Sequence, residues 1–165
     1  MKLVLVKNDI DFKKWLEIAC HSRFPVNENL ENIYIEPEFE EEMSINFNYT
    51  KTLDDNFKIK FGHAILLALV NKDNEIVGTV CVRKDNHKYG ACHINNIAIH
   101  PTYRKQGLGR LLIEKTCELV SKHSDFKYIT LTTDSAREFY KHIGMKLAGV
   151  LNFGIKKRYY FFKEI

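Results

Sequence analysis

What this sequence lacks removes several classes of function at once. Its four cysteines, Cys20, Cys81, Cys92 and Cys117, contain no CxxC pair, and His87 and His93 make no recognisable metal set with them. No metal is therefore expected. No apolar run approaches the roughly 18 residues needed to cross a membrane, so no membrane partner is expected either. The opening MKLVLVKND has too short an apolar stretch for a secretion signal. With the unpatterned cysteines, this predicts reduced thiols and a cytoplasmic setting. Net charge is also small, at only +4, and acids and bases are interspersed. That is no footprint for a nucleic acid, and none is expected as a partner. The stretch KKRYYFFK at 156–163 interleaves cations and aromatics, but its alternation reads better as a buried terminal strand.

What is present is ordinary globular material, with 45% hydrophobic and 28% charged residues. The length fits one domain over residues 1–165, able to bury roughly 70% of its unfolded surface without a disulfide or metal. A monomer or a homodimer is expected.

Along the chain, KLVLVK reads as a short strand. Phe12, Trp15, Leu16 and Ala19 then fall at i, i+3, i+4 and i+7, a helical stripe with Asp9 or Asp11 as its cap. Residues 23–60 are poorly patterned and include Pro25, Pro37 and the ambiguous SINFNYT; one helix with loops is expected there. Three strands follow, HAILLALV, IVGTVCVRK and ACHINNIAIH, joined by short turns into an antiparallel meander. Next come a helix carrying Leu108, Leu111, Leu112, Leu119 and Val120, and the strand KYITLTT. The intervening helix is a crossover, so that strand should run parallel to HINNIAI. A last helix presents Ala136, Phe139, Tyr140 and Ile143, with Gly144 placed as its C-cap, before MKLAGVLN and KRYYFFKEI close the chain as strands. The product is a mixed α/β (α+β) domain.

Between the meander and the crossover helix lies HPTYRKQGLGRLL, residues 100–112. A glycine in a helix costs about 1 kcal/mol relative to alanine, so Gly107 and Gly109 need a reason. A strand that passes through glycines into a helix offers unpaired N–H groups and the positive end of the macrodipole to an anion. Arg104, Lys105 and Arg110 add charge there. GxxxxGK[ST] is absent, and GxGxxG fails at Leu112.

NNIAIHPTYRKQGLGRLLIE resembles the coenzyme-A-binding motif of the GNAT superfamily of N-acetyltransferases, R/Q-x-x-G-x-G/A, at Arg104, Gly107 and Gly109. AREFYKHIGM is similar to the family's next motif, A-x-x-F/L-Y-x-x-x-G-F/M. The resemblance spans residues 91–149. It implies a central mixed sheet of about seven strands flanked by about four helices. It also implies acetyl-CoA as co-substrate and direct transfer of the acetyl group to an amine on a small molecule, peptide or protein. The pyrophosphate would lie on the N–H groups of Gln106, Gly107, Leu108, Gly109 and Arg110, with Arg104 and Lys105 at the rim. The pantetheine would follow Ile97, Ala98 and Ile99, in the gap where that strand leaves its parallel neighbour, with Phe139 and Ser135 on the far side. Thr133 stands where the family often has an asparagine for the pantetheine arm, and Ser135 is the candidate substitute.

An alkyl amine of pKa near 10.4 costs about 4.6 kcal/mol to deprotonate at pH 7. A base and an acid for the thiolate are therefore sought. Tyr140 occupies the position where many family members carry the general acid. His93 occupies the position of the family's frequent glutamate base, counted from Ile99. By the period of two, His93, Asn95, Ile97 and Ile99 share one face. His93 as base, or Asn95 or Asn96 holding a water that takes the proton, both remain open. Cys92 points away from His93 on a strand, which disfavours a thiol nucleophile. The acidic cluster Glu36, Glu38, Glu40, Glu41 and Glu42 is either a solvated face or a hint of a cationic acceptor such as a polyamine, aminoglycoside or lysine. The other reading is a GNAT-fold sensor or interaction module that binds acyl-CoA without transferring the group.

Overall fold

In the computed structural model, residues 1–23, 30–31, 33–60 and 62–165 are described. The elements run β1 (Lys2–Leu5), α1 (Asp9–Arg23), α2 (Pro37–Lys51), β2 (Ile65–Val70), β3 (Ile76–Lys84), β4 (Ala91–Ile99), a short 3-10 turn at Pro101–Tyr103, α3 (Leu108–His123), β5 (Tyr128–Thr133), α4 (Arg137–His142), β6 (Lys146–Phe153) and β7 (Lys156–Glu164). Seven strands form one sheet in the order β1-β2-β3-β4-β5-β7-β6. β4 and β5 pair in parallel and the other neighbours are antiparallel, as the meander and crossover predict.

The sheet separates two apolar clusters. One face carries Leu67, Val80, Val82, Ile94 and Leu131 under α3, with Tyr140 of α4. The other carries Leu66, Cys81 and Ala98 beneath Trp15 and Leu16 of α1 and Met43 and Phe47 of α2. Because β2 supplies both clusters, all six of its residues are buried, and HAILLALV lacks alternation for that reason. The α1 stripe is buried as its spacing predicts, but the cap is different. Asn8 Oδ1 accepts from the Asp11 N–H at 2.9 Å, so Asn8 caps α1 rather than Asp9 or Asp11.

The weakly patterned segment contains α2. Its start is set by Pro37 in the first turn, where the missing N–H has no intrahelical partner to lose, and SINFNYT is its C-terminal half. Glu38 and Glu40 stand in that first turn, where negative charge favours the helix dipole. Pro25, read from sequence as loop, lies outside the described residues. KRYYFFKEI is less enclosed than its alternation suggests: β7 lies inside the sheet, yet Phe161 is its one fully buried residue.

The largest departure from simple alternation is in β4. Asn96 takes φ 51°, and the pairing with β3 shifts between Thr79, opposite Ala98, and Cys81, opposite Asn95. An extra residue in one strand is a β-bulge, and it reverses the faces of everything beyond it. Asparagine tolerates this left-handed conformation better than most residues. Its carbonyl accepts from Thr79 Oγ1 at 2.9 Å, which holds the kink.

Candidate active site

The bulge corrects the expected common face of His93, Asn95, Ile97 and Ile99. His93 and Asn95 pair with Arg83 and Cys81 and point toward α1 and α2. Ile97 and Ile99, past the bulge, pack with the α3-side cluster. The strand also parts from its neighbour here. β4 and β5 pair only from Ala91 opposite Tyr128 to His93 opposite Thr130, so the main-chain groups of β4 beyond that point have no β5 ladder.

On the α3 side, the parting opens into a cleft of about 720 Å³. Ile97, Ala98 and Ile99 form one wall, Arg104, Lys105, Gly107, Leu108, Gly109 and Arg110 the end, and Phe139 and Tyr140 the opposite wall. Gln106 and Ser135 do not line it, although both are exposed nearby in the chain. Sequence reasoning missed Ser22, at the end of α1, and His142 and Ile143 of the α4 turn. Ser22 carried no signal, being brought in from a remote helix; His142 and Ile143 lie within the second motif. A second cleft of about 640 Å³ between β1 and α3 is comparable in size but lacks every motif residue, so chemistry rather than volume selects between them.

The loop is held from several sides. His100 N–H donates to the Val77 carbonyl at 2.9 Å, and Tyr103 OH donates to Glu75 Oε2 at 3.0 Å. Arg104 donates to the Ile99 carbonyl at 3.1 Å and to His21 Nδ1 at 3.0 Å, which fixes its stem across α1 and the end of β4. Lys105 (φ 59°) and Gly107 (φ 77°) are both left-handed. Such turns direct backbone N–H groups into an anion-holding concavity. The two glycines have different causes. A Cβ at Gly107 would meet nothing within 4 Å, so its φ demands glycine and the space in front stays open. A Cβ at Gly109 would come 3.1 Å from the Phe139 ring, so this glycine admits α4. Arg110 also pairs with Glu114 at 3.0 Å.

Tyr140 is buried in the wall, packed 6.0 Å from the Phe161 ring, and burial pushes its hydroxyl pKa up to about 12. It therefore keeps its proton at neutral pH. Phe139, expected in the apolar stripe, is 40% exposed because it faces the cleft. Gly144 (φ 90°) ends α4 as predicted, letting the Met145 N–H reach the Tyr140 carbonyl at 3.0 Å. Thr133 Oγ1 accepts from the Ala136 N–H at 3.0 Å and so holds the start of the α4 turn.

On the opposite face, His93 is buried beside Thr130, with Nδ1 3.0 Å from Thr130 Oγ1. Burial, followed by the Arg83 charge, pulls its pKa down to about 4, while Asp85 works to raise it. A cavity of about 320 Å³ is lined by Glu42, Met43, Asn46, Arg83 and Asn95 among others; His93 itself does not line it. Asn95 Oδ1 is buried there without a partner among the described residues. Of the acidic cluster, Glu42 alone lines this cavity. Cys92 points to the other face, and burial raises its thiol to about 12, which makes it a poor nucleophile. Among the described residues no group of three His, Cys, Asp or Glu side chains could hold a metal. No described helix is long and apolar enough to cross a membrane.

A family model described as the acetyltransferase (GNAT) family matches residues 27–145. A Bacillus subtilis (strain 168) protein, provisionally named a ribosomal protein bS18-alanine N-acetyltransferase, is 32% identical over 116 residues, covering 62% of this chain and 69% of the relative. A glucosamine 6-phosphate N-acetyltransferase of Schizosaccharomyces pombe is 27% identical over 95 residues, covering 53% of this chain and 86% of the relative. Among solved structures, an aminoglycoside 6'-N-acetyltransferase complexed with coenzyme A superposes with a TM-score of 0.66 at 18% identity, over 99% of this chain and 97% of the other.

Proposed function

The chain belongs to the GNAT acetyltransferase family, and from that premise we propose how its residues divide the work of moving an acetyl group from acetyl-CoA to an amine. The donor lies on the α3 side. Its pyrophosphate rests on the N–H groups from Lys105 to Arg110, with Arg104 and Lys105 as counter-charge, and its pantetheine arm follows β4 along Ile97–Ile99, where the strand has no β5 ladder. The observation that carries this reading is the coincidence of the left-handed Lys105 and Gly107 with the end of the β4–β5 parting, in one cleft.

The thioester then sits where the strands separate, between Tyr140 on one face and His93 on the other. The acceptor approaches from the α2 side, past Glu42, Arg83 and Asn95. As the nitrogen adds to the thioester carbonyl, an N–H proton leaves for His93 or a water beside it. The carbon–sulfur bond breaks, and Tyr140 donates its proton to the departing thiolate. The transfer is direct, because Cys92 faces away and is held as a thiol. We read residues 1–165 as one acyl-CoA N-acyltransferase domain, since a single sheet runs from β1 to β7, and we place its work in the cytoplasm because its cysteines show no disulfide spacing.

Release of CoA thiol with a panel of small-molecule and peptide amines tests this. Turnover that is lost in Tyr140→Phe with acetyl-CoA binding unchanged supports it. Tight acetyl-CoA binding with no turnover on any amine contradicts it, and identifies a sensor instead.

A further inference from the structure

Beneath His93 lies a polar group that neither motif announces. Asp85, in the turn after β3, is buried at 4% exposure, and Thr130 of β5 is fully enclosed. Asp85 Oδ1 accepts from the His87 N–H at 2.7 Å, and Oδ2 accepts from both Thr130 Oγ1 and the Tyr160 hydroxyl of β7. These hydrogen bonds hold the carboxylate below its usual range even though burial works the other way.

A hydroxyl has one proton to give. Thr130 gives its proton to Asp85, so toward His93, 3.0 Å away, it can only accept. The hydrogen on that contact must therefore come from His93 Nδ1. A neutral imidazole with Nδ1 protonated has its lone pair on Nε2. His93 keeps 7% of its surface exposed, and Arg83, its partner in β3, and Asn95, two residues on, both line the α2-side cavity.

We propose that Asp85 and Thr130 are positioning residues that lock His93 in its Nδ1-protonated tautomer and thereby make Nε2 the atom that takes the acceptor's proton. The inference rests on the reading of His93 as base. The carbon–nitrogen bond forms, the carbon–sulfur bond breaks, the amine proton goes to Nε2, and the Tyr140 proton goes to sulfur; solvent then returns the His93 proton to Tyr140. The imidazolium formed in this step would feel the Asp85 carboxylate in its favour and the Arg83 and His87 charges against it, with the Tyr160 ring 6.5 Å away. Asp85 Oδ2 also lies 3.7 Å from His93 Nδ1, and its negative charge offsets Arg83 only while Asp85 is ionised.

Imidazole nitrogen–proton NMR correlations on the full chain, read beside steady-state kinetics, test this. In the unaltered protein at neutral pH, His93 should carry its proton on Nδ1. An amide at position 85 can donate to Thr130 Oγ1, which turns the Thr130 hydroxyl toward His93. Asp85→Asn should therefore move the His93 proton to Nε2 and lower kcat about 100-fold, the scale of general-base catalysis, with KM for acetyl-CoA unchanged. Thr130→Ser, which keeps the hydroxyl, should retain the tautomer and most of the rate. A proton on Nε2 in the unaltered protein would overturn the proposal, as would Asp85→Asn or Thr130→Ser behaving in the opposite way. If His93→Gln keeps the full rate while the tautomer is as stated, the base assignment fails and the hydrogen-bond lock stands alone. The wild-type spectrum decides the lock even if the variant at Asp85 does not fold.

Discussion

The two faces of this sheet are built by different rules. On the α3 face, the cleft proposed for the donor draws most of its wall from residues 97–110 and 136–143, so contiguous sequence encodes it. On the α1/α2 face, the polar group joins Arg83, Asp85, His93, Thr130 and Tyr160 from four strands and a turn, which only the sheet's register brings together. The contrast teaches that a ligand common to many proteins can be gripped by a local motif. Proton handling for one acceptor, in the role proposed for the His93 group, is assembled from scattered positions. The bulge at Asn96 is the hinge between the two, since it assigns His93 and Ile97 to opposite faces.

The sharpest way to break this contrast is acid. His93 is held neutral in the folded chain, with its pKa drawn from 6.5 to about 4. The unfolded chain therefore binds more protons between those values, and stability must fall as pH drops through that window. The loss should approach about 3 kcal/mol below pH 4, measured by urea unfolding at a series of pH values. The lowered Asp85 acts in the same sense at still lower pH, because its stabilisation is lost on protonation. His93→Gln should flatten the upper part of this profile.

A slightly smaller effect belongs to the seam between the faces. Tyr140→Phe should reduce kcat about 100-fold, equal to about 2.7 kcal/mol, with the Kd for acetyl-CoA unchanged by calorimetry. On the donor face alone, Gly107→Ala forces a left-handed alanine, at a cost of about 1 kcal/mol in thermal stability. Any loss of acetyl-CoA affinity beyond a few-fold would then report a contact at the open space before Gly107. Smallest of all, Glu38→Gln with Glu40→Gln should lower stability by about 0.6 kcal/mol, two exposed first-turn charges at the low end of the helix-dipole scale. It should leave the rates for cationic and neutral amines unchanged, whereas Glu42→Gln should lower the preference for a cationic one.

Much of the fold was legible because periodicity and turns agreed. The three meander strands, the crossover helix and the Gly144 cap stand where spacing places them. The one helix expected within residues 23–60 is α2, but its bounds were not legible, because SINFNYT suits strand and helix equally and only burial of Phe39, Met43 and Phe47 settles it. The bulge was illegible for a related reason: Asn95-Asn96 offers no apolar marker by which alternation could be seen to slip. At the site, the residues around Gly107 and Tyr140 were legible because each motif is continuous. Ser22, Asp85, Thr130 and Tyr160 were not, since nothing local distinguishes a buried carboxylate from a turn aspartate.

The most direct test of the central claim, donor on one face and proton transfer on the other, is backbone amide NMR during titration with acetyl-CoA. Large shifts are expected over residues 97–99, 105–110 and 136–143, with α2 and the cleft between β1 and α3 little changed. Shifts centred on Lys2, Lys7 and Lys115, or on Glu42 and Asn46 with the 105–110 loop unmoved, would contradict it.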